Sequence, residues 1–294
     1  MLAALLGSYV TAPGRTPAAA SSPLAQEFTT PREVNITDPQ RSLKSIRIVT
    51  WNIDRGTELD LVRSGLERER ADLCLLQEVD SNTARAGERD VALNLAKHLH
   101  LNLSYGVEFE ELSQEHGQRA FVGQATLTRL PIRGSRILRF ATQSGFWKPH
   151  DWIPTSIPLM QRRLGGRIAL VTELDFHERL LLVYNVHLES RSLGKLQEMQ
   201  LDEILADLQR YPPNTAAILG GDLNSKYFPS VYLRKLERHG FKSVMGERIE
   251  RTHMIAMALD WIFARGPLKI GSGRVCRDDK GSDHYPIYAE LFAE

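Results

Sequence analysis

Polar residues stand at the ends of apolar runs along this chain of 294 residues. "TWNID" presents Asn52 and Asp54, "LLQEVD" presents Gln77 and Glu78, and "VYNVHLES" presents Asn185 and His187. "LGGDLNS" presents Asp222 and Asn224, "ALDWIF" presents Asp260, and "GSDHYP" presents Asp283 and His284. Each stretch alone has a plain structural explanation. Asp, Asn, Ser and Gly favour turns after strands, because they hydrogen-bond their own backbone and tolerate unusual φ. A histidine between Val186 and Leu188 can be a satisfied core side chain. Recurrence at so many strand ends points instead to one shared site. Carboxylate and amide oxygens suit a hard divalent cation such as Mg²⁺, and histidines suit proton transfer or contact with phosphate. No cysteine joins the set, which argues against a soft-metal centre.

The elements that must position these residues can be read from periodicity. "SIRIVTWNI" alternates with high β-branched content and reads as a strand. Leu59, Val62 and Leu66 recur at helical spacing, with Thr57 as the expected N-cap. "ADLCLLQEV" is nearly continuous apolar sequence, as in a strand buried on both faces, and Val91, Leu95 and Leu99 mark a second helix. Five strand-like runs follow, from "LSYGVEF" to "RLLLVYNVHLES", with a break at Pro131 and a hairpin turn at His177 and Glu178. "GKLQEMQLDEILADLQR" reads as a helix with Leu196, Met199, Ile204 and Leu208 on one face. "TAAILGGD", "LDWIFARG" and "HYPIYAEL" read as strands, and "SVYLRKLERHG" as a helix closed by Gly240. Strands dominate with helices between them, so two packed sheets with helices outside are expected.

Composition is that of an ordinary globular protein, and the net charge of +1 does not announce a nucleic-acid binder. Cys74 and Cys276 form neither a CxxC pair nor a disulfide framework. No segment approaches the length of apolar sequence that spans a membrane. Residues 1–44 are expected to be a disordered leader or a weak signal segment, with 11–42 rich in Ala, Pro, Ser and Thr, and residues 45–294 the ordered domain. A cytoplasmic monomer is expected, or a secreted or periplasmic protein if the leader acts as a signal.

"WNID", "QEVD", "NVHLES", "GGDLNS", "LDWIF" and "GSDHYP" occur in an order that resembles the endonuclease/exonuclease/phosphatase superfamily. The resemblance covers roughly residues 45–292. It implies a four-layer α/β sandwich with two mainly antiparallel sheets, and hydrolysis of a phosphodiester with Mg²⁺, Mn²⁺ being an alternative. It implies a metal-ligating role for Glu78 with Asn52 beside it, and for Asp54 as in the apurinic branch. Asp283 is implied as a metal ligand or a structural neighbour. By the same resemblance Asp222 orients or deprotonates the attacking water, and Asn224 holds that water or a phosphate oxygen. His284 meets the phosphoryl oxygen, Asp260 orients the His284 ring, and His187 is the second histidine of the site. Arg167 stands where a phosphate-binding arginine is expected, with Arg162 and Arg163 competing for the role.

The superfamily shares chemistry rather than substrate, which is chosen in loops. The aromatic stretch at 146–153 could stack a base, meet lipid or pack on the protein's own core. The arginines of "TRLPIRGSRILRF" could track a phosphate backbone or form a solvated strand face. "HLES" resembles the tyrosyl-DNA phosphodiesterase 2 type, so nucleic acid is the expected partner ahead of lipid or inositol phosphates. A non-catalytic binding scaffold on the same fold is the contrasting class.

Overall fold

The computed structural model describes residues 26–40, 43–112, 119–148 and 163–294. One sheet contains β1 (Arg32–Val34), β2 (Ser45–Arg55), β3 (Leu73–Ser81), β4 (Asn102–Glu111), β5 (Ala120–Thr128), β7 (Arg163–Gly165), β13 (Leu268–Val275) and β14 (Ile287–Ala293). The other contains β6 (Ile132–Arg139), β8 (Ile168–Phe176), β9 (Arg179–His187), β10 (Ala216–Asp222), β11 (Lys242–Ser243) and β12 (Asp260–Arg265). The orders are β1-β4-β5-β3-β2-β14-β13, with β7 on β4, and β11-β12-β10-β9-β8-β6. Pairing is antiparallel except between β2 and β3 and between β9 and β10. Four helices complete the layers: α1 (Leu59–Glu69), α2 (Val91–Leu99), α3 (Lys195–Leu208) and α4 (Pro229–Glu237).

Strand alternation sorts the apolar residues into three cores. Val49, Trp51 and Ile53 of β2 pack under α1 and α2. Ala217 and Leu219 of β10 pack under α3 and α4. Between the sheets lie Ile46, Ile48, Leu73, Leu75, Leu181, Val183, Ala216, Ile218 and Ile262. The result is the expected four-layer sandwich. The same period of two continues into the polar strand ends: Ile46, Ile48 and Asn52 share a face, as do Leu181, Val183 and His187, and Ala216, Ile218 and Asp222. The interlayer is thus apolar along most of its length and polar at one end.

The two glycines before Asp222 are explained by crowding. A Cβ on Gly220 would lie 2.7 Å from Leu75 Cδ1 of the opposite sheet. One on Gly221, whose φ is +146, would lie 1.9 Å from the Val186 carbonyl oxygen.

Some local expectations are corrected. Residues 26–40 are part of the folded unit: β1 pairs with β4, and Phe28 is buried in the core under the first sheet. The expected leader therefore fails over that stretch, and residues 1–25 lie outside the described residues. Glu58, not Thr57, is the N-cap of α1. The buried face of α3 is Leu201, Ile204, Leu205 and Leu208 with Gln197 and Gln200, while Met199 is exposed. Strand β13 carries no continuous apolar pattern, because it is a sheet edge holding Gly271 and Gly273. The arginines near Pro131 are occupied within the fold: Arg133 with Asp175, Arg136 with Asp207, and Arg139 on the carbonyls of Phe28, Val107 and Gly166. None of these three is left to track a phosphate backbone.

Candidate active site

Register places the polar strand ends side by side. Asp222 is paired with His187 of β9 on one side and with Asp260 of β12 on the other. Asn52 is paired with Gln77 in the facing sheet. Two amides bridge the sheets: Gln77 Nε2 donates to Asn185 Oδ1 at 2.8 Å, and Asn52 Nδ2 donates to Asp222 Oδ2 at 3.2 Å. Gln77 and Asn185 are fully buried, so they tie the layers together behind the site.

Bulges re-aim the acids. The β2–β3 register shifts between Asn52 and Arg55, and the β3–β5 register between Leu76 and Val79. Extra residues of this kind turn side chains away from the pleat. Asp54, Glu78 and Asn224 also hold positive φ, at +40, +50 and +48. Such backbone is sparsely populated for residues with a Cβ and concentrates at functional sites.

Asp222 Oδ2 is the convergence point. Around it lie Asn52 Nδ2 at 3.2 Å, His187 Nε2 at 3.5 Å and His284 Nε2 at 3.9 Å. Its other oxygen accepts the Asn224 backbone N–H at 2.8 Å, and the Asn224 side chain donates to the Leu188 carbonyl at 3.1 Å. His284 Nδ1 sits on both oxygens of Asp260, at 2.9 and 3.1 Å. Burial lowers the His284 pKa, but Asp260, Asp222 and Asp283 outweigh it and push the imidazole up to about 10. Burial raises the Asp260 carboxyl as well, so the two groups hold a proton between them at Nδ1, and His284 Nε2 faces the cleft. Thr252 Oγ1 accepts the backbone N–H groups of Leu259 and Asp260, which sets the start of β12.

Arg167 is not in the cleft as a free phosphate donor. It is buried behind His187, donating to His187 Nδ1 at 2.8 Å and to Glu108 Oε1 at 2.9 Å. A guanidinium has only donors, so His187 Nδ1 is the acceptor toward Arg167, and Nε2 is the nitrogen that faces Asp222. Arg163 is likewise ion-paired with Glu111, and Arg162 lies outside the described residues. Of the aromatic stretch, Phe146 and Trp147 are described; Arg191 stacks 4.2 Å over the Phe146 ring.

Three more acids, Asp54, Glu78 and Asp283, act on one another through their charges, and Glu78 Oε1 lies 3.4 Å from Asn52 Nδ2. Burial raises the Asp54 carboxyl, Arg55 opposes this, and the charges of Glu78 and Asp283 raise it further. Burial also works against ionised Glu78, yet Arg55, His187, Arg167 and Arg163 hold it well below the usual carboxylate range. Arg55 lies 2.8 Å from Asp54 and 3.4 Å from Glu78. Asn52 Oδ1 accepts the Asp54 N–H at 3.2 Å and keeps a second lone pair. With the Asn52 amide, these three carboxylates offer only oxygens, the donor chemistry a hard divalent cation takes. Asp222, Asp260 and His284 also cluster closely. There, however, His284 Nδ1 is already engaged by Asp260, so the two form a hydrogen-bonded pair beside Asp222.

Sequence reading missed Arg55, Glu108, His253 and the α3 glutamines. Glu108 sits at a β4 bulge, and its acid inside apolar "GVEF" was the available signal. Gln200 accepts the Glu189 N–H at 2.8 Å and donates to the Thr142 carbonyl at 2.8 Å, and Gln197 reaches the Asn224 carbonyl. These glutamines fix the loops beside His187 and Asn224.

Residues 49–284 match the model of the Endonuclease/Exonuclease/phosphatase family. No curated protein matches the chain in sequence. Among solved structures, the endonuclease/exonuclease/phosphatase from Beutenbergia cavernae is similar at 16% identity and TM-score 0.61, covering 85% of this chain and 72% of that one. TDP2 from C. elegans is similar at 17% identity and TM-score 0.57, covering 85% and 75%. A functionally unknown conserved protein from Enterococcus faecalis is similar at 19% identity and TM-score 0.60, covering 85% and 100%. With the matched segment running from Val49 of β2 to His284 of the polar cleft, the chain belongs to the endonuclease/exonuclease/phosphatase family.

Proposed function

We propose that this protein hydrolyses phosphodiester bonds with bound Mg²⁺ (Mn²⁺ serving as well) and that its substrate is nucleic acid. The observation that carries this reading is the convergence of Asn52, His187 and His284 nitrogens on Asp222 Oδ2. An acceptor held among donors is what a water nucleophile and an anionic phosphoryl group require together. Asp222 takes or steers the proton of the attacking water. The Nε2–H groups of His187 and His284 stabilise charge on the phosphoryl oxygens, and Asp260 keeps the His284 ring charged and aligned. Asn224 locks Asp222 through its backbone N–H and stands beside the water. Glu78, Asp54, Asp283 and Asn52 would hold the cation, which when bound polarises a phosphoryl oxygen and steadies the leaving alkoxide.

Nucleic acid is favoured by the stack of Arg191, on the loop that follows His187, over Phe146, and by Lys226, which reaches the Ser190 carbonyl of that loop, cations and a ring suited to phosphates and bases. A lipid phosphoester is the second reading, favoured by exposed Leu193, Phe228, Met254 and Ile255 in loops next to site residues. The test is a substrate panel with Mg²⁺ and with EDTA: plasmid DNA, abasic DNA, 5′-tyrosyl DNA, RNA, sphingomyelin and inositol phosphates. Cleavage of a nucleic-acid substrate that EDTA abolishes is expected. Turnover confined to lipid selects the second reading, and no turnover of any substrate selects a binding scaffold.

A further inference from the structure

His253 belongs to none of the polar strand ends, yet it is held against two of them. Its backbone bridges His284, the Met254 N–H donates to the Asp283 carbonyl at 2.8 Å, and the Tyr285 N–H donates to the Thr252 carbonyl at 2.7 Å. A short antiparallel pairing thus lays residues 252–254 along 283–285. The His253 ring stands edge-on to His284, with centroids 4.6 Å apart and planes at 88°.

The hydrogen bonds of this ring have a direction. Its Nδ1 receives the Ile255 backbone N–H at 2.9 Å. A backbone amide only donates, so Nδ1 carries the lone pair and the single proton of the neutral ring is on Nε2. Nε2 lies 3.3 Å from Asp283 Oδ2. His253, Asp283 and His284 lie close enough to be taken together for a metal centre. The proton positions disfavour that. His253 Nε2 holds a proton and His284 Nδ1 is engaged by Asp260, so His253 is a donor here and not a ligand.

We propose that His253 is a positioning residue: its Nε2–H holds Asp283 Oδ2 and so presents the Asp283 carboxylate to the cation shared with Glu78 and Asp54. This rests on the reading of Asp283 as a cation ligand given above. Asp283 needs such a hold. Its side chain is 49% exposed, and among the described residues its other side-chain hydrogen bond comes from the Ser282 hydroxyl at 3.3 Å. A carboxylate fixed by a neighbouring donor loses less rotamer freedom when a cation arrives. Removing such partners commonly costs about tenfold in metal affinity.

Two variants separate the donor from the ring. His253→Phe keeps a ring edge-on to His284 and removes the donor; His253→Gln removes the ring and keeps an N–H donor. Mn²⁺ binding is measured directly by electron paramagnetic resonance of the free ion, with thermal melts of each purified protein. The expected result is about tenfold weaker Mn²⁺ binding in His253→Phe and binding within about threefold of wild type in His253→Gln. Wild-type affinity in a folded His253→Phe overturns the proposal. So does an equal loss in both variants, which would assign the effect to ring packing, or the loss of one whole Mn²⁺ equivalent in both, which would make His253 a ligand. If the wild-type protein itself binds no Mn²⁺, the cation reading fails first and this inference falls with it.

Discussion

Asp260 places both carboxylate oxygens on His284 Nδ1, at 2.9 and 3.1 Å, while Trp51 Nε1 holds the His284 carbonyl at 2.9 Å from the other side. The ring is therefore fixed at its side chain and its backbone by different strands. If Asp260 acts only through that ring, the two residues form one unit. Asp260→Asn is expected to cost little kcat/KM once His284 is Ala, because residues acting together are strongly non-additive. A double-mutant cycle on kcat/KM checks this, and full additivity would separate the pair.

The same pair sets the pH dependence. The His284 pKa is raised from 6.5 to about 10, because Asp260, Asp222 and Asp283 overcome the burial that lowers it. The imidazolium and its contribution to stability are fully present below pH 6.5 and are lost as pH rises through about 10. Activity is expected to persist through the ordinary histidine range and to fall on the alkaline side. In Asp260→Asn the alkaline limb should move down toward the ordinary value. A limb near pH 6.5 in the wild-type kcat/KM profile would contradict a charged His284.

Asp222→Asn is expected to lower kcat by about 10²–10⁴-fold, the usual weight of a general base. The fold should persist, since an amide keeps an oxygen for the Asn224 N–H. Turnover by the purified variant within about threefold of wild type, outside that general-base range, would remove Asp222 from the chemistry.

Glu78→Gln is expected to shift the Mg²⁺ requirement upward by roughly tenfold or more, since a neutral amide is a weaker partner for a hard cation. The Mg²⁺ titration of activity reads this out, and an unchanged curve would place Glu78 outside the cation site.

Arg167→Met distinguishes a buried brace from a phosphate ligand. Leaving Glu108 ionised and unpaired in the interior should cost about 3–5 kcal/mol in urea denaturation. A variant of wild-type stability with only a raised KM would return Arg167 to the substrate.

Much of this protein was legible in its sequence. Alternation in "SIRIVTWNI" and "TAAILGGD" is a local signal, because a strand shows successive side chains to opposite faces. Continuing that count from Ile48 to Asn52 and from Ile218 to Asp222 already puts both polar residues on the interlayer face. The polar strand ends also offered Glu78, His187, Asp260, Asp283 and His284 as candidates, and their roles come from the family resemblance and not from the period.

Tertiary structure decided the rest. Whether an arginine meets substrate or a buried acid depends on what packs against it, so Arg167 looked like a phosphate ligand until Glu108 and His187 stood on either side. Glu108, Asp54 and Glu78 are aimed by register shifts, which depend on the partner strand and leave no fixed period in their own. His253 gained its role when residues 252–254 came to lie along 283–285. Local periodicity determined which residues face inward. Contacts between segments far apart in the chain determined which proton each of them holds, because a hydrogen bond's direction is set by the partner and not by the residue alone.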